Sequence, residues 1–355
     1  FSTQLTYRNT LQNGLTLQIK NSLNFFDRQI RVRNFGFGGK QVSSFSEVQL
    51  SKSGEKTEWV GGLNLWTENF KQNSIYQSTL LNYQLNTFGA FVQNLWNISS
   101  EWTLESGLRL DTQQEYGTFV LPKASLMFEP SEVLTFRLGG GLGYKSPTVF
   151  TEETERLTFR NVLPIDPTAL DAERSTGFNF DINHRLALGE ELTLNTNVLF
   201  FYTQIANPLI LRLTEDGLYQ YEQPSGQLQA QGAEVNMKWQ YRDLKLFLGY
   251  TYSDVNQTIN QTTNTFPLVA KHRLNNVLMY EKHENFRFGL EAYYFSPQQL
   301  NDGAVGKSYW IMGLMGEKYF GEGFSVFLNF ENLLDTRQTD FDTIYTGSLS
   351  NPVFR

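Results

Sequence analysis

The chain has 355 residues, with 29 Lys and Arg against 36 Asp and Glu, a formal net charge of −7, and no cysteine. Disulfides, zinc–thiolate sites and thiol nucleophiles are therefore excluded, and the acidic balance gives no compositional support to a nucleic-acid surface. Aromatic residues make up 15% of the chain, yet mean hydropathy is negative, which suits a wall with one greasy face and one wet face better than a packed globular core.

No run of eighteen apolar residues occurs, so no transmembrane helix is expected. No signal peptide opens the chain and Phe1 leads it rather than Met, which reads as a processed chain or a fragment.

Taken in order, the chain is punctuated by eight short polar turns: Gln12-Asn13-Gly14, Lys52-Ser53-Gly54-Glu55, Ser99-Ser100-Glu101, Pro130-Ser131-Glu132, Gly189-Glu190, Arg242-Asp243, His283-Glu284-Asn285 and Gly321-Glu322-Gly323. Each is flanked by alternating apolar and polar residues, so the turns join about sixteen strands by hairpin logic. Trp102, Leu104, Leu108 and Leu110 oppose Thr103, Glu105, Arg109 and Asp111. Leu134, Phe136, Leu138, Leu142 and Tyr144 oppose Thr135, Arg137 and three glycines; Phe178, Phe180, Ile182 and Leu186 oppose Asn179, Asp181, Asn183 and Arg185. The clearest hairpin spans 231–252. Ala233, Val235, Met237, Trp239 and Tyr241 point one way and Glu234, Asn236, Lys238 and Gln240 the other; then Leu244, Leu246, Leu248, Tyr250 and Tyr252 oppose Lys245, Gly249 and Thr251. Further on, Phe286, Phe288, Leu290, Ala292 and Tyr294 oppose Arg287, Gly289, Glu291 and Tyr293.

Successive strand side chains face opposite sides of a sheet, and strands of about ten residues match what a tilted bilayer crossing needs. Between the hairpins lie longer irregular segments at 29–44, 70–81, 147–172, 212–229, 255–270, 297–307 and 336–355, whereas the link at 114–118 is short. Short turns at one end and long loops at the other are the asymmetry of an outer-membrane β-barrel. The expectation is one all-β domain over 1–355, an antiparallel up-and-down transmembrane barrel facing lipid with its apolar row. A secreted β-sandwich or propeller would also alternate, but its strands average about 5–6 residues and no Trp-Asp punctuation marks blades here.

The motifs that hint at chemistry are weak. GGGLGYKS (139–146) has Tyr144 where a phosphate loop needs glycine before its lysine, and it lies in a strand. His184, His272 and His283 fall in different hairpins, so no histidine metal site is expected; no G-x-S-x-G motif stands out, and no enzyme activity or cofactor is expected. The charged loop 146–174 holds Glu152, Glu153, Arg156 and Arg160. Long loops on a rigid scaffold are where binding sits, so these four, with Tyr219 and Tyr221 of the next loop, are candidate ligand contacts; the plainer readings are a solvated loop with internal ion pairs, and girdle aromatics for the tyrosines. Arg109, Arg137, Glu234 and Lys238 are expected on the lumen row.

Six segments in order, GLRLD (107–111), LPKASLMFEPSEVLTFRLGGGLGYKSPT (121–148), ERSTGFNFDI (173–182), GAEV (232–235), PLVAKHRLN (267–275) and NFENLLDTRQ (329–338), resemble the C-terminal part of TonB-dependent outer-membrane receptors. Tyr144, Lys145, Pro147, Thr148, Glu173, Ser175, Gly232, Glu234, Asn332, Leu333 and Asp335 match the family's motif positions. The resemblance implies a barrel of about 22 strands with a plugged lumen, of which this chain supplies about sixteen, with the plug domain and the final strand absent and two bare edges left. It also implies a place in the Gram-negative outer membrane and active import of a scarce bulky nutrient. The cargo would be a ferric siderophore or similar iron chelate first, with cobalamin, haem or a glycan oligomer as alternatives. The implied partners are membrane lipid and lipopolysaccharide, the chain's own plug domain, which the lumen row would contact, and a TonB-type energising protein. A passive porin-like or adhesin-like barrel is the competing reading.

Overall fold

The structure, a computed structural model, describes residues 1–32, 35–73 and 80–337, and the backbone of 345–348 and 351–354. Sixteen long strands follow one another: β1 (Ser2–Thr10), β2 (Leu15–Val32), β3 (Phe35–Ser53), β4 (Thr57–Gln72), β5 (Tyr83–Asn97), β6 (Trp102–Gln113), β7 (Gly117–Ser131), β8 (Leu134–Lys145), β9 (Glu173–Leu188), β10 (Leu192–Ala206), β13 (Gly226–Tyr241), β14 (Leu244–Ile259), β16 (His272–Lys282), β17 (Phe286–Phe295), β18 (Tyr309–Tyr319) and β19 (Ser325–Phe330). Short extras sit in the links: α1 (Glu152–Arg156), β11 (Ile210–Leu213), β12 (Tyr219–Glu222), β15 (Thr262–Thr265), and a last hairpin of β20 (Tyr345–Ser348) and β21 (Asn351–Phe354). Each long strand pairs antiparallel with the next, from β1–β2 through β18–β19. Among the described residues β1 and β19 each pair on one side only.

The eight tight turns fall at one end of this sheet, as their sequences demand. Asn13 and Gly14 both take left-handed φ values, 66° and 73°, which asparagine and glycine tolerate where bulky residues do not. At the other end, 29–44 is not an irregular loop. Gln29 to Val32 pair with Gly38 to Phe35, so β2 and β3 run on as a long hairpin. Likewise β14 extends to Ile259 and folds back on β15, and 70–81 begins as strand through Gln72. These are mostly polar stretches, glycine-rich at 36–39, whose lack of alternation hides the ladder. Residues 74–79, and the side chains of 338–355, lie outside the described residues.

Register fixes which side chains share a face. Trp239 lies opposite Leu246, Met237 opposite Leu248 and Val235 opposite Tyr250, while Lys238 lies opposite Phe247 and Glu234 opposite Thr251. The apolar face is bare: Leu63, Leu108, Leu138, Phe178 and Phe200 are each about half exposed. On it Trp102, Phe128, Phe136, Phe180 and Phe200 form a chain of ring neighbours 4.2–6.5 Å apart, a belt of the kind that meets a membrane interface. The polar face holds its ion pairs across neighbouring strands, Lys20–Glu47 at 3.1 Å and Lys123–Glu105 at 2.7 Å among them.

A hydrophobic core exists at the loop end and not along the wall. Phe35 and Phe37 from β3, Phe70 from β4, Leu81, Val149, Phe159, Val162, Leu170 and Tyr221 pack together. The segment 146–172 thus folds back over the polar face as a roof. Thr151 caps α1 by accepting from Thr154 N–H, Phe159 stacks on Phe37 at 4.0 Å and 8°, and Arg28 forks onto Glu155. The hairpin β11–β12 joins the roof: Tyr219 N–H donates to Asn161 O and Leu163 N–H to Tyr219 O.

Candidate ligand-binding cavity

Between roof and wall lies a cavity of about 640 Å³, within the usual range for small-molecule sites. The wall contributes Phe26 and Arg28 of β2, Trp66 and Glu68 of β4, and Arg109 and Asp111 of β6; the roof side contributes Tyr144, Lys145, Phe150 and Glu155. Strand parity explains the wall set, since Trp66 and Glu68 fall on the same row as the buried Asn64. The cavity's floor is a network centred on Asp111. Arg109 Nε donates to Asp111 Oδ1 at 2.7 Å, Arg109 Nη2 to Asn64 Oδ1 at 3.2 Å, and the Tyr144 hydroxyl to Asp111 Oδ2 at 3.1 Å. Gly89 admits this cluster: a Cβ there would stand 2.5 Å from both Asn64 Oδ1 and Asp111 Oδ1.

Tyr144 is a correction to the alternation. Its row places it on the apolar face with Leu142, yet its ring stacks on Phe119 at 3.8 Å and its hydroxyl reaches Asp111. The physical reason lies at Pro122. The ladder from β7 to β6 runs through Leu108–Pro122 uninterrupted, but the ladder from β7 to β8 stops at Lys123–Gly141. Proline has no N–H for the next rung, so beyond it β8 holds only β9 and its end is free to lie against the buried Phe119, as Arg174 also does at 4.9 Å.

The remaining candidates separate into groups. Tyr221 is 4% exposed and its hydroxyl donates to Val149 O at 3.2 Å, also within reach of Thr154 Oγ1; burial holds its pKa above the ordinary value. It ties the roof together and is no surface platform. Tyr219 packs against the same core, so neither tyrosine is a girdle residue. Glu152, Glu153 and Arg156 lie on α1, with Glu152 exposed, and Arg160 sits over the Phe35 ring at 4.9 Å. Arg109 is in the cavity floor. Arg137 lies lower on the polar face with Asp181 and Arg185, Glu234 pairs with Leu199 and Thr251 in the ladders, and Lys238 covers the Phe247 ring at 5.4 Å.

The motif positions have structural duties. Lys145 and Glu173 are ladder partners, as are Gly143 and Ser175, and Glu173 Oε1 accepts from Leu209 N–H at 2.9 Å. Pro147 is buried beside the cavity-lining Thr148. A Cβ on Gly232 would stand 2.0 Å from Tyr252 O, so only glycine fits. Asn332 closes a turn by accepting from Thr336 N–H at 2.9 Å and donating to Thr336 O at 3.1 Å, Leu333 N–H donates to Met312 O, and Asp335 pairs with Arg337 at 2.9 Å. Sequence reasoning missed Arg28, Trp66 and Glu68. Alternation carried through β4 would have put Trp66 and Glu68 on the polar row; Arg28 stands one residue before the segment 29–44, which reads as loop.

A family model described as TonB dependent receptor-like, beta-barrel, matches residues 1–333. The chain belongs to this family. Among curated proteins nothing matches, but solved TonB-dependent receptors share the fold. The FrpB iron transporter from Neisseria meningitidis superposes with a TM-score of 0.74 at 14% identity, covering 94% of this chain and 58% of that one. The siderophore receptor PirA from Acinetobacter baumannii gives 0.69 at 14%, with coverage of 94% and 58%, and the copper transporter OprC gives 0.75 at 13%, with 94% and 58%. The chain thus spans under two thirds of the length of these TonB-dependent receptors. The family's members are transporters of the Gram-negative outer membrane rather than enzymes, and that membrane is where this barrel resides.

Proposed function

We propose that this chain forms the wall and mouth of an active importer for a scarce metal chelate, a ferric siderophore or similar iron complex before cobalamin, haem or glycan. The roofed cavity carries the reading: a pocket of small-molecule size at the loop end of a membrane wall, with aromatic faces and a few placed polar groups, is built to grip a preformed complex. The family membership and the iron, siderophore and copper proteins of the same fold support it. In this reading Glu152, Glu153, Arg156 and Arg160 contact cargo from the roof, while Arg137, Glu234 and Lys238 face a plug domain through which a TonB-type protein supplies energy. The apolar row meets lipid and lipopolysaccharide. The test is uptake of labelled iron chelates by a deletion strain with and without the full-length gene, each with and without the energising protein. Import restored by the gene and lost with the energiser is expected. Import that survives loss of the energiser would make the protein a passive pore, and no import of any chelate would remove iron from its cargo.

A further inference from the structure

The charges around the cavity cancel. Arg28, Arg109 and Lys145 line it, and so do Glu68, Asp111 and Glu155. Two of the cations are already spent: Arg28 forks onto Glu155, and Arg109 is held by the buried Asp111 at 2.7 Å and by Asn64. Of the charged groups that line the cavity itself, what is left to an incoming ligand is one ammonium, Lys145, which is exposed and makes no ion pair among the described residues, and one carboxylate, Glu68, which accepts from the Tyr83 hydroxyl. Around this balanced pair the surfaces are aromatic. Trp66 is 52% exposed and Phe26 is 52% exposed, and Phe150 closes the roof side, braced edge-on against Phe70 at 5.0 Å.

Building on the importer reading, we infer that the cavity selects a chelate of zero or low net charge with apolar faces, and discriminates against polyanionic chelates. Inside the cavity a polyanion would find one unpaired lining cation for several charges, would meet Glu68, and could recruit Arg28 or Arg109 only by stranding a carboxylate, Asp111 being buried. A neutral complex meets none of these costs. It can stack on Trp66 and Phe26, accept from Lys145 Nζ and donate to Glu68.

The experiment uses the full-length receptor, purified in detergent, and two probes of similar bulk: a neutral ferric trihydroxamate and a trianionic ferric tricatecholate. Tryptophan quenching gives affinities at low and high salt, and the same labelled complexes are followed in uptake by cells. The neutral probe is expected to bind about tenfold or more tightly than the trianion, with an affinity nearly flat in salt. Trp66→Ala should weaken the neutral probe about tenfold or more, and Glu68→Lys should narrow the ratio between the probes. Trianion binding equal to or tighter than neutral binding overturns the inference while leaving the importer intact. Binding and import of neither probe overturns both.

Discussion

Phe159→Ala tests whether the roof is a folded unit with its own core. The ring is fully buried, stacked on Phe37 at 4.0 Å, edge-on to Phe150 at 5.5 Å and covered by Arg28 at 5.4 Å. Truncating a buried phenylalanine costs about 3–5 kcal/mol, of which the Phe37 stack contributes about 1. The lower figure suits a core at the barrel mouth, where neighbours can collapse into the space. Phe159 also sits at φ 63°, so a Phe159→Gly variant loses the same ring but regains about 1 kcal/mol of left-handed strain. On the wall the loss touches side chains of the loop-end core such as Phe37, while the β10–β13 ladder lies outside that core. A loss of about 3 kcal/mol raises the open fraction of the roof about a hundredfold. Hydrogen exchange on the full-length receptor reads this at Leu163 and Tyr219, whose amides bridge the roof loop and β12, with β10 and β13 amides as controls. Exchange of the roof amides in Phe159→Ala within about threefold of the parent would refute the reasoning, as would equal acceleration of the wall.

Three further outcomes follow from the same geometry. Met237→Arg places a charge in mid-wall on the lipid row and should cost about 2–4 kcal/mol, visible as reduced outer-membrane assembly, whereas Asn236→Arg one residue away should assemble within about 0.5 kcal/mol of the parent; equal loss from both would refute the assignment of faces. Arg109→Ala leaves the buried Asp111 carboxylate with the Tyr144 hydroxyl alone and should destabilise by about 2–3 kcal/mol, read as a lower unfolding temperature by heat-modifiable gel mobility and partly restored by Arg109→Lys. In the roof, the Thr168 hydroxyl and N–H hold the exposed Asp166 carboxyl below its usual pKa. A depressed carboxylate stabilises above the ordinary value of about 3.9 and loses that contribution as pH falls through its own lower pKa; the protection of the Ala169 amide, whose N–H donates to Asp166 O, taken relative to its intrinsic exchange rate at each pH, should therefore fall on acidification below pH of about 4, and Thr168→Ala should flatten the response.

The sequence alone determined the wall. Alternation with period two is a local property of each strand, so the rows of Trp239, Leu246 and their neighbours and the eight turns were all legible residue by residue. The roof was not. Phe37 and Phe159 meet across more than a hundred residues of chain and Tyr221 joins their core from another loop, and nothing local distinguishes a buried loop tyrosine from an exposed one; hence Tyr221 read as a candidate ligand contact and 29–44 as irregular. Tyr144 shows the boundary between the two. Its parity was correct for a continuous ladder, but one missing N–H at Pro122, on a neighbouring strand, let that ladder end and turned the ring onto Phe119. Local covalent geometry sets which way a side chain starts; which partner it finds depends on where distant strands stop pairing, and that is decided only when the chain is folded.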